Sequence, residues 1–184
     1  TQRGLYSVVC KVQRDVETPR GRGVRSVLCR DGKCREDVGN AMEKRRDAGR
    51  AGLLGIAPGP ENGFSLDRIL SFERFGALMD WAMIILNPME QWPGTLVLPA
   101  AARFGINLLT RVVDYGGIFH DDVKPGHAFT GHDHRAFRPA GWVEAGNAKL
   151  ERMREIAARH DLTPLQLACL WNLAHDPVKS VVPT

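Results

Sequence analysis

Cysteine is scarce in this chain: four in 184 residues, at Cys10, Cys29, Cys34 and Cys169, with only Cys29 and Cys34 near one another. That excludes a disulfide-held scaffold. The spacer Arg30-Asp-Gly-Lys33 has a length suited to a zinc knuckle, but no second Cys/His pair follows within roughly thirty residues, so no metal is expected there. Long apolar runs are missing too. Stretches such as Trp81 to Leu86 fall far short of the roughly 20 residues that cross a bilayer. No basic leader precedes an apolar segment with a small-residue cleavage site. These features predict a soluble, cytoplasmic protein with no membrane partner.

An excess of basic charge is confined to one end. The formal net charge is +4, yet residues 1–50 hold 13 Lys and Arg against 7 Asp and Glu, and residues 51–184 hold 12 against 14. The basic arm lacks interleaved aromatics and mixes in acids, so a solvated surface is expected and no nucleic-acid partner. What is present is enough apolar content, 43%, to bury one sizeable core.

From about residue 38 the chain alternates helix-like with strand-like segments, the pattern of βαβ units. Residues 38–48 read as the end of a charged helix stopped at Gly49. The apolar run 51–57 reads as a buried strand closed by Pro58-Gly-Pro60. Ser65 is placed to cap a helix with apolar positions Leu66, Ile69, Leu70, Phe72 and Phe75, ending near Gly76. A second strand is predicted over 81–86, then a helix over 95–104 with Pro99 near its first turn and Gly105 at its end. A third strand spans 106–112. Residues 113–139, with four of the six histidines, read as a long functional loop or a lid. A charged amphipathic helix follows over 142–160, then a helix opened by Thr163 and Pro164, and a strand over 178–182.

The clear strands recur at roughly 25 to 29 residues, as consecutive β/α units do. Parallel strands covered by helices account for runs apolar on both faces. The expected fold class is therefore α/β, a partial (β/α)8 TIM barrel. A whole barrel needs about 200 residues or more, and with no initiator Met and a strand at its end the chain reads as truncated. Residues 1–37 read as an irregular basic segment of uncertain origin, and 38–184 as the barrel part.

Leu54-Gly-Ile-Ala57, Asp80 to Pro88, Leu108-Leu-Thr-Arg-Val112, His134-Arg135 and Leu162-Thr-Pro-Leu-Gln-Leu-Ala-Cys-Leu-Trp-Asn-Leu-Ala174 together resemble the aldo/keto reductase superfamily. The likeness is to the second half of that barrel, roughly strands 5 to 8, and the segment 163–174 is its most specific piece. It implies NADP or NAD as cofactor and a small-molecule carbonyl as substrate, with hydride transferred to an aldehyde or ketone. The family's proton-donating Tyr and its Asp, Lys and His partners belong to the first four strands. Lys11, in Val8-Val-Cys-Lys-Val12, superficially resembles the lysine-bearing strand. Too few residues separate it from Gly55 for the units that should intervene, and a surface lysine is the favoured reading.

The resemblance also assigns cofactor positions. The family's Ser-Asn that holds the nicotinamide carboxamide is Ala57-Pro58 here, and its Gln falls on Met83, so those donors are absent. Asn87 keeps the Asn of a Tyr-Asn pair, and equally suits an Asx-type turn before Pro88. Arg111 and the loop Val112 to Gly117, including Asp114 and Gly116, stand where relatives place backbone around the pyrophosphate, with Arg111 either pairing phosphate or forming a structural ion pair. The adenosine-phosphate loop begins at Pro183-Thr184. Phe64, Trp92, Tyr115 and Phe119 either line a carbonyl pocket or simply pack. Two other readings stay open. His120-Asp-Asp122, His127 and His132-Asp-His134 suit a metal-dependent hydrolase built on loop 120–134, although a solvated lid without metal is favoured. The chain also reads as a non-catalytic half-barrel that self-associates through exposed sheet edges.

Overall fold

The computed structural model of the chain describes residues 26–29, 43–44, 46–49, 51–57 and 65–183. Five strands form one sheet in chain order: β1 (Ser26–Cys29), β2 (Leu53–Ile56), β3 (Trp81–Ile85), β4 (Asn107–Arg111) and β5 (Val178–Val182). β1 runs parallel to β2, with Ser26 opposite Leu53, and β2 runs parallel to β3, with Gly55 opposite Trp81. A doubly wound sheet reverses its strand order at a switch point. Here each new strand adds at the same edge, as in a barrel.

β1 lies inside the segment expected to be irregular. Four residues flanked by Arg25 and Arg30 are too few to show a period, and only pairing with β2 identifies them as a strand. The helix-like reading of 38–48 recurs at Glu43, Lys44, Arg46 and Asp47, which are helical, with Gly49 left-handed after them.

The chain divides into two compact units, Thr1–Ile84 with Trp92–Leu109 and Ile85–Gln91 with Thr110–Thr184. In the first, helices α1 (Ser65–Phe75) and α2 (Val97–Phe104) accompany a core that includes Leu54, Ile56, Phe72, Ala82, Ile84, Val97, Ala101 and Leu108. Leu70, expected on the buried face of α1, is exposed, because Phe72 and the buried Arg68 define the inner side. Arg68 Nε donates to the Met83 carbonyl at 3.2 Å. Pro99 sits in the first turn of α2, where no N–H is required, and Gly105 ends the helix at φ 67. Gly76 allows close helix packing: a Cβ there would stand 2.7 Å from Phe104 Cδ1.

Asp80, just before β3, gathers three strand starts. Its Oδ2 accepts from Leu54 N at 2.7 Å, its own N–H donates to Leu54 O at 2.8 Å, and its carbonyl accepts from Asn107 N at 3.0 Å and Asn107 Nδ2 at 3.2 Å. In β4 the coverage alternates: Leu108 and Thr110 are buried, whereas Asn107, Leu109 and Arg111 are half-buried. The strand is thus fully covered on one face only, not on both as its apolar run predicts.

In the second unit, α3 (Trp142–Ala158) and α4 (Pro164–Leu173) bury Val143, Leu150, Met153 and Ala168 with Val113, Ile118, Phe119 and Val123 of the loop between β4 and α3. The start of α4 is a capping box, with Gln166 N donating to Thr163 Oγ1 at 3.2 Å and Thr163 N to Gln166 Oε1 at 2.9 Å.

Candidate functional site

The exits of β3 and β4 meet through one side chain. Asn87 follows β3 and is wholly buried. Its Oδ1 accepts from the backbone N–H of Met89 at 3.0 Å and of Glu90 at 2.8 Å, an Asx turn. Its Nδ2 donates to the Val112 carbonyl at 3.0 Å, one residue beyond β4. The Asx turn read from the sequence is thus present, and the same side chain also holds a neighbouring loop.

That loop is conformationally unusual. Val112 has φ 55 and Tyr115 φ 53, and Gly116 and Gly117 follow at 67 and 92. For a β-branched residue left-handed backbone costs about 1–3 kcal/mol, and such strain persists only where surrounding bonds hold it. The Val112 carbonyl also accepts from Tyr115 N at 3.1 Å. Asp114 is buried, and its Oδ2 accepts from Gly117 N at 2.6 Å, closing the turn from inside.

Residues 113–139 are not a free lid. Arg135 donates to the Gly116 carbonyl at 3.2 Å, lies over the Phe129 ring at 4.7 Å, and grips Asp133 with an Nη2 to Oδ2 distance of 2.7 Å. That guanidinium holds the Asp133 carboxyl down at about 2. Asn147 of α3 donates to the Val123 carbonyl at 3.0 Å, and Arg154 pairs with Asp121. Glycine at 146 lets α3 approach, since a Cβ there would lie 2.6 Å from Ile118 Cδ1.

A charged and aromatic cluster borders the turn. Glu90 pairs with Arg138 at 3.0 Å, and Arg138 lies 5.7 Å from the Tyr115 ring centre and 5.3 Å from that of Trp142. Tyr115 meets Trp142 edge-on, at 5.5 Å. Burial, and then the Glu90 carboxylate, push the Tyr115 phenol above its usual range, with Arg138 opposing them. Burial pulls the half-buried Arg111 guanidinium below its usual value, with Glu90 opposing.

Of the positions implied for a cofactor, Asn87, Val112, Asp114 and Gly116 come together in this one bonded turn, with Arg111 at the strand end beside it. Pro183 is exposed, directly after β5. Lys11, Pro58 and Phe64 lie outside the described residues. Phe119 is buried in the core and cannot line a pocket, whereas Trp92 is exposed. Glu90, Arg138 and Asn147 carry no sequence signal, because their partners lie 48 and 24 residues away. Arg135 is marked in the sequence only as part of His134-Arg135, one of the segments that carry the family resemblance.

The metal reading gains no support. His120, His127, His132 and His134 are exposed, and Asp121 and Asp133 already have cationic partners. Among the described residues no group of three or more His, Cys, Asp or Glu is placed to hold a metal. Among the same residues no helix is long and apolar enough to cross a membrane.

No protein-family model and no curated protein matches the chain. Solved structures do. A glycerol dehydrogenase, AKR11B4 from Gluconobacter oxydans, superposes with a TM-score of 0.64 at 17% identity, over 85% of this chain and 49% of that one. The aldo-keto reductase AKR11C1 from Bacillus halodurans gives 0.57 at 17% identity in its holo form, over 86% of this chain and 47% of that one. Its apo form gives 0.57 at 17%, over 86% and 50%. The chain has the fold of part of an aldo-keto reductase barrel. It spans about half the length of these structures, which accords with the partial (β/α)8 fold expected from its repeating strands.

A dinucleotide diphosphate would require a cation and closely approachable backbone, and this turn has half-buried Arg111 at the strand end and glycines at 116 and 117. An added Cβ at Gly116 would meet Trp142 Cη2 at 3.3 Å and Arg135 Cδ at 3.6 Å, so glycine there lets the turn pack against those two side chains. Ala57 and Met83 offer no side-chain donor to the nicotinamide that the resemblance implies.

Proposed function

We propose that this chain is the cofactor-side part of an NAD(P)H-dependent aldo/keto reductase that reduces a small aldehyde or ketone to an alcohol, acting in the cytoplasm. The observation that carries this reading is the left-handed backbone at Val112 and Tyr115 to Gly117, held by Asn87 and Asp114 at the exit of a strand in an aldo-keto reductase fold. Exit loops at this end of a barrel are where such folds bind ligands. NADPH or NADH, when bound, supplies the hydride. The chain's own work is to seat the dinucleotide: the 112–117 backbone approaches the diphosphate, Arg111 neutralises part of its charge, and the clipped loop keeps that surface preformed.

The chain alone is expected to bind cofactor without turning it over, because the resemblance assigns the proton-donating Tyr to the first four strands, whereas the segments that carry the resemblance here correspond to roughly strands 5 to 8. Isothermal titration of the 184-residue chain with NADPH and with NADH tests this. Saturable binding that weakens at least about tenfold in Arg111→Ala, as for a lost charge-assisted contact, is expected. No heat of binding at millimolar cofactor would sink it. Carbonyl-dependent NADPH oxidation by the chain itself would refute the inactive state.

A further inference from the structure

We infer that Asn87 is a positioning residue whose side-chain amide sets Val112 in its left-handed turn and so presents the 112–117 backbone to the dinucleotide diphosphate; this rests on the cofactor reading proposed above. Val112 is the wrong residue type for φ 55, because a β-branched side chain crowds its own backbone there. Something must hold it, and its carbonyl has two donors: Asn87 Nδ2 at 3.0 Å and Tyr115 N at 3.1 Å. The second of these belongs to the turn itself and forms only once the turn exists. The first comes from the segment that follows β3 and is the external constraint.

Asn87 suits this role and no direct one. Its side chain is wholly buried, and its Oδ1 is committed to Met89 N and Glu90 N, so its contact with a ligand is through Val112. The residue must be acceptor and donor at once over the same short reach. Among side chains of this length only asparagine is both, since an ionised aspartate only accepts and would set a carboxylate against the Val112 carbonyl. Val112 in turn fixes Arg111 before it and Asp114 after it, so one amide sets the register of the whole surface.

Asn87→Asp is the informative substitution, because it keeps an acceptor for Met89 and Glu90 while removing the donor to Val112. Two readouts are followed: the NADPH dissociation constant by fluorescence titration, and hydrogen exchange of the Tyr115 amide without cofactor. Both are expected to change at least about tenfold in Asn87→Asp. In Asn87→Asp with Val112→Gly, glycine takes the left-handed conformation unaided, and most of the lost affinity returns although the added carboxylate remains. Unchanged Tyr115 exchange in Asn87→Asp overturns the inference, as does a double variant that binds NADPH no better than Asn87→Asp. Wild-type chain that binds no NADPH overturns the cofactor reading itself, a result distinguishable from both.

Discussion

Replacing Gly146 by Ala tests whether the 113–139 loop is truly seated on α3. In an exposed helix interior Gly→Ala stabilises by about 1 kcal/mol. Here the new methyl would stand 2.6 Å from Ile118 Cδ1 and 3.0 Å from Tyr115 Cε1. Ile118 is wholly buried, and the Tyr115 ring is backed by Trp142 and Arg138, so neither can swing aside without moving others. Overpacking of this kind costs about 1–3 kcal/mol. The two effects oppose, and the net is a destabilisation of about 0–2 kcal/mol in place of the usual gain. Urea denaturation followed by circular dichroism reads it as a lower midpoint at unchanged slope. Ile118→Val decides the cause, because it removes Cδ1, the atom in closest conflict. Alone it should cost about 1 kcal/mol; in the Gly146→Ala background it should cost less by at least about 0.5 kcal/mol. A midpoint that rises by the full helix gain, or an Ile118→Val cost that is equal in both backgrounds, refutes the seating.

Two further outcomes concern the clip and the last helix. Asp133, held at about 2 by Arg135, has a folded pKa below its unfolded value of about 3.9. Its contribution to stability is thus complete above about pH 4 and lost as pH falls through about 2. Carboxyl-carbon NMR should give a midpoint near 2 that moves toward 3.9 in Arg135→Lys, and a wild-type midpoint already at 3.9 would dismiss the clip. Thr163→Ala removes the acceptor of Gln166 N and should lower stability by about 1 kcal/mol, whereas Thr163→Ser should keep most of it. An equal fall in both variants, measured by urea titration, speaks against the hydroxyl as cap.

Elements set by local chemistry were legible before any coordinates. Thr163 with Pro164 marks the start of α4 because cap and ring act within one turn, and Gly105 marks the end of α2 for the same reason. Periodicity found β2 to β5 to within a residue or two. It missed β1, which is defined by its pairing with β2 and not by its own pattern. Of the two readings of 113–139, a functional loop or a lid, the glycines and histidines do not decide, because the bonds that pin the segment run from Glu90 to Arg138 and from Asp121 to Arg154 and leave no local signal. At the candidate site, glycine content pointed to the turn, but Val112 at φ 55 defies any local rule. A valine in that conformation is readable only together with Asn87, 25 positions earlier.

Asp80 has a consequence for how such a scaffold tolerates change. Its bonds to Leu54 and Asn107 anchor β2, β3 and β4 where these strands begin, whereas Asn87 and Val112 stand where β3 and β4 end. Alignment of these strands is thereby set at their starts and not in the segments that follow them. A single substitution at position 80 therefore disturbs the beginnings of three strands at once, which makes it a far costlier place for sequence drift than its one carboxylate suggests.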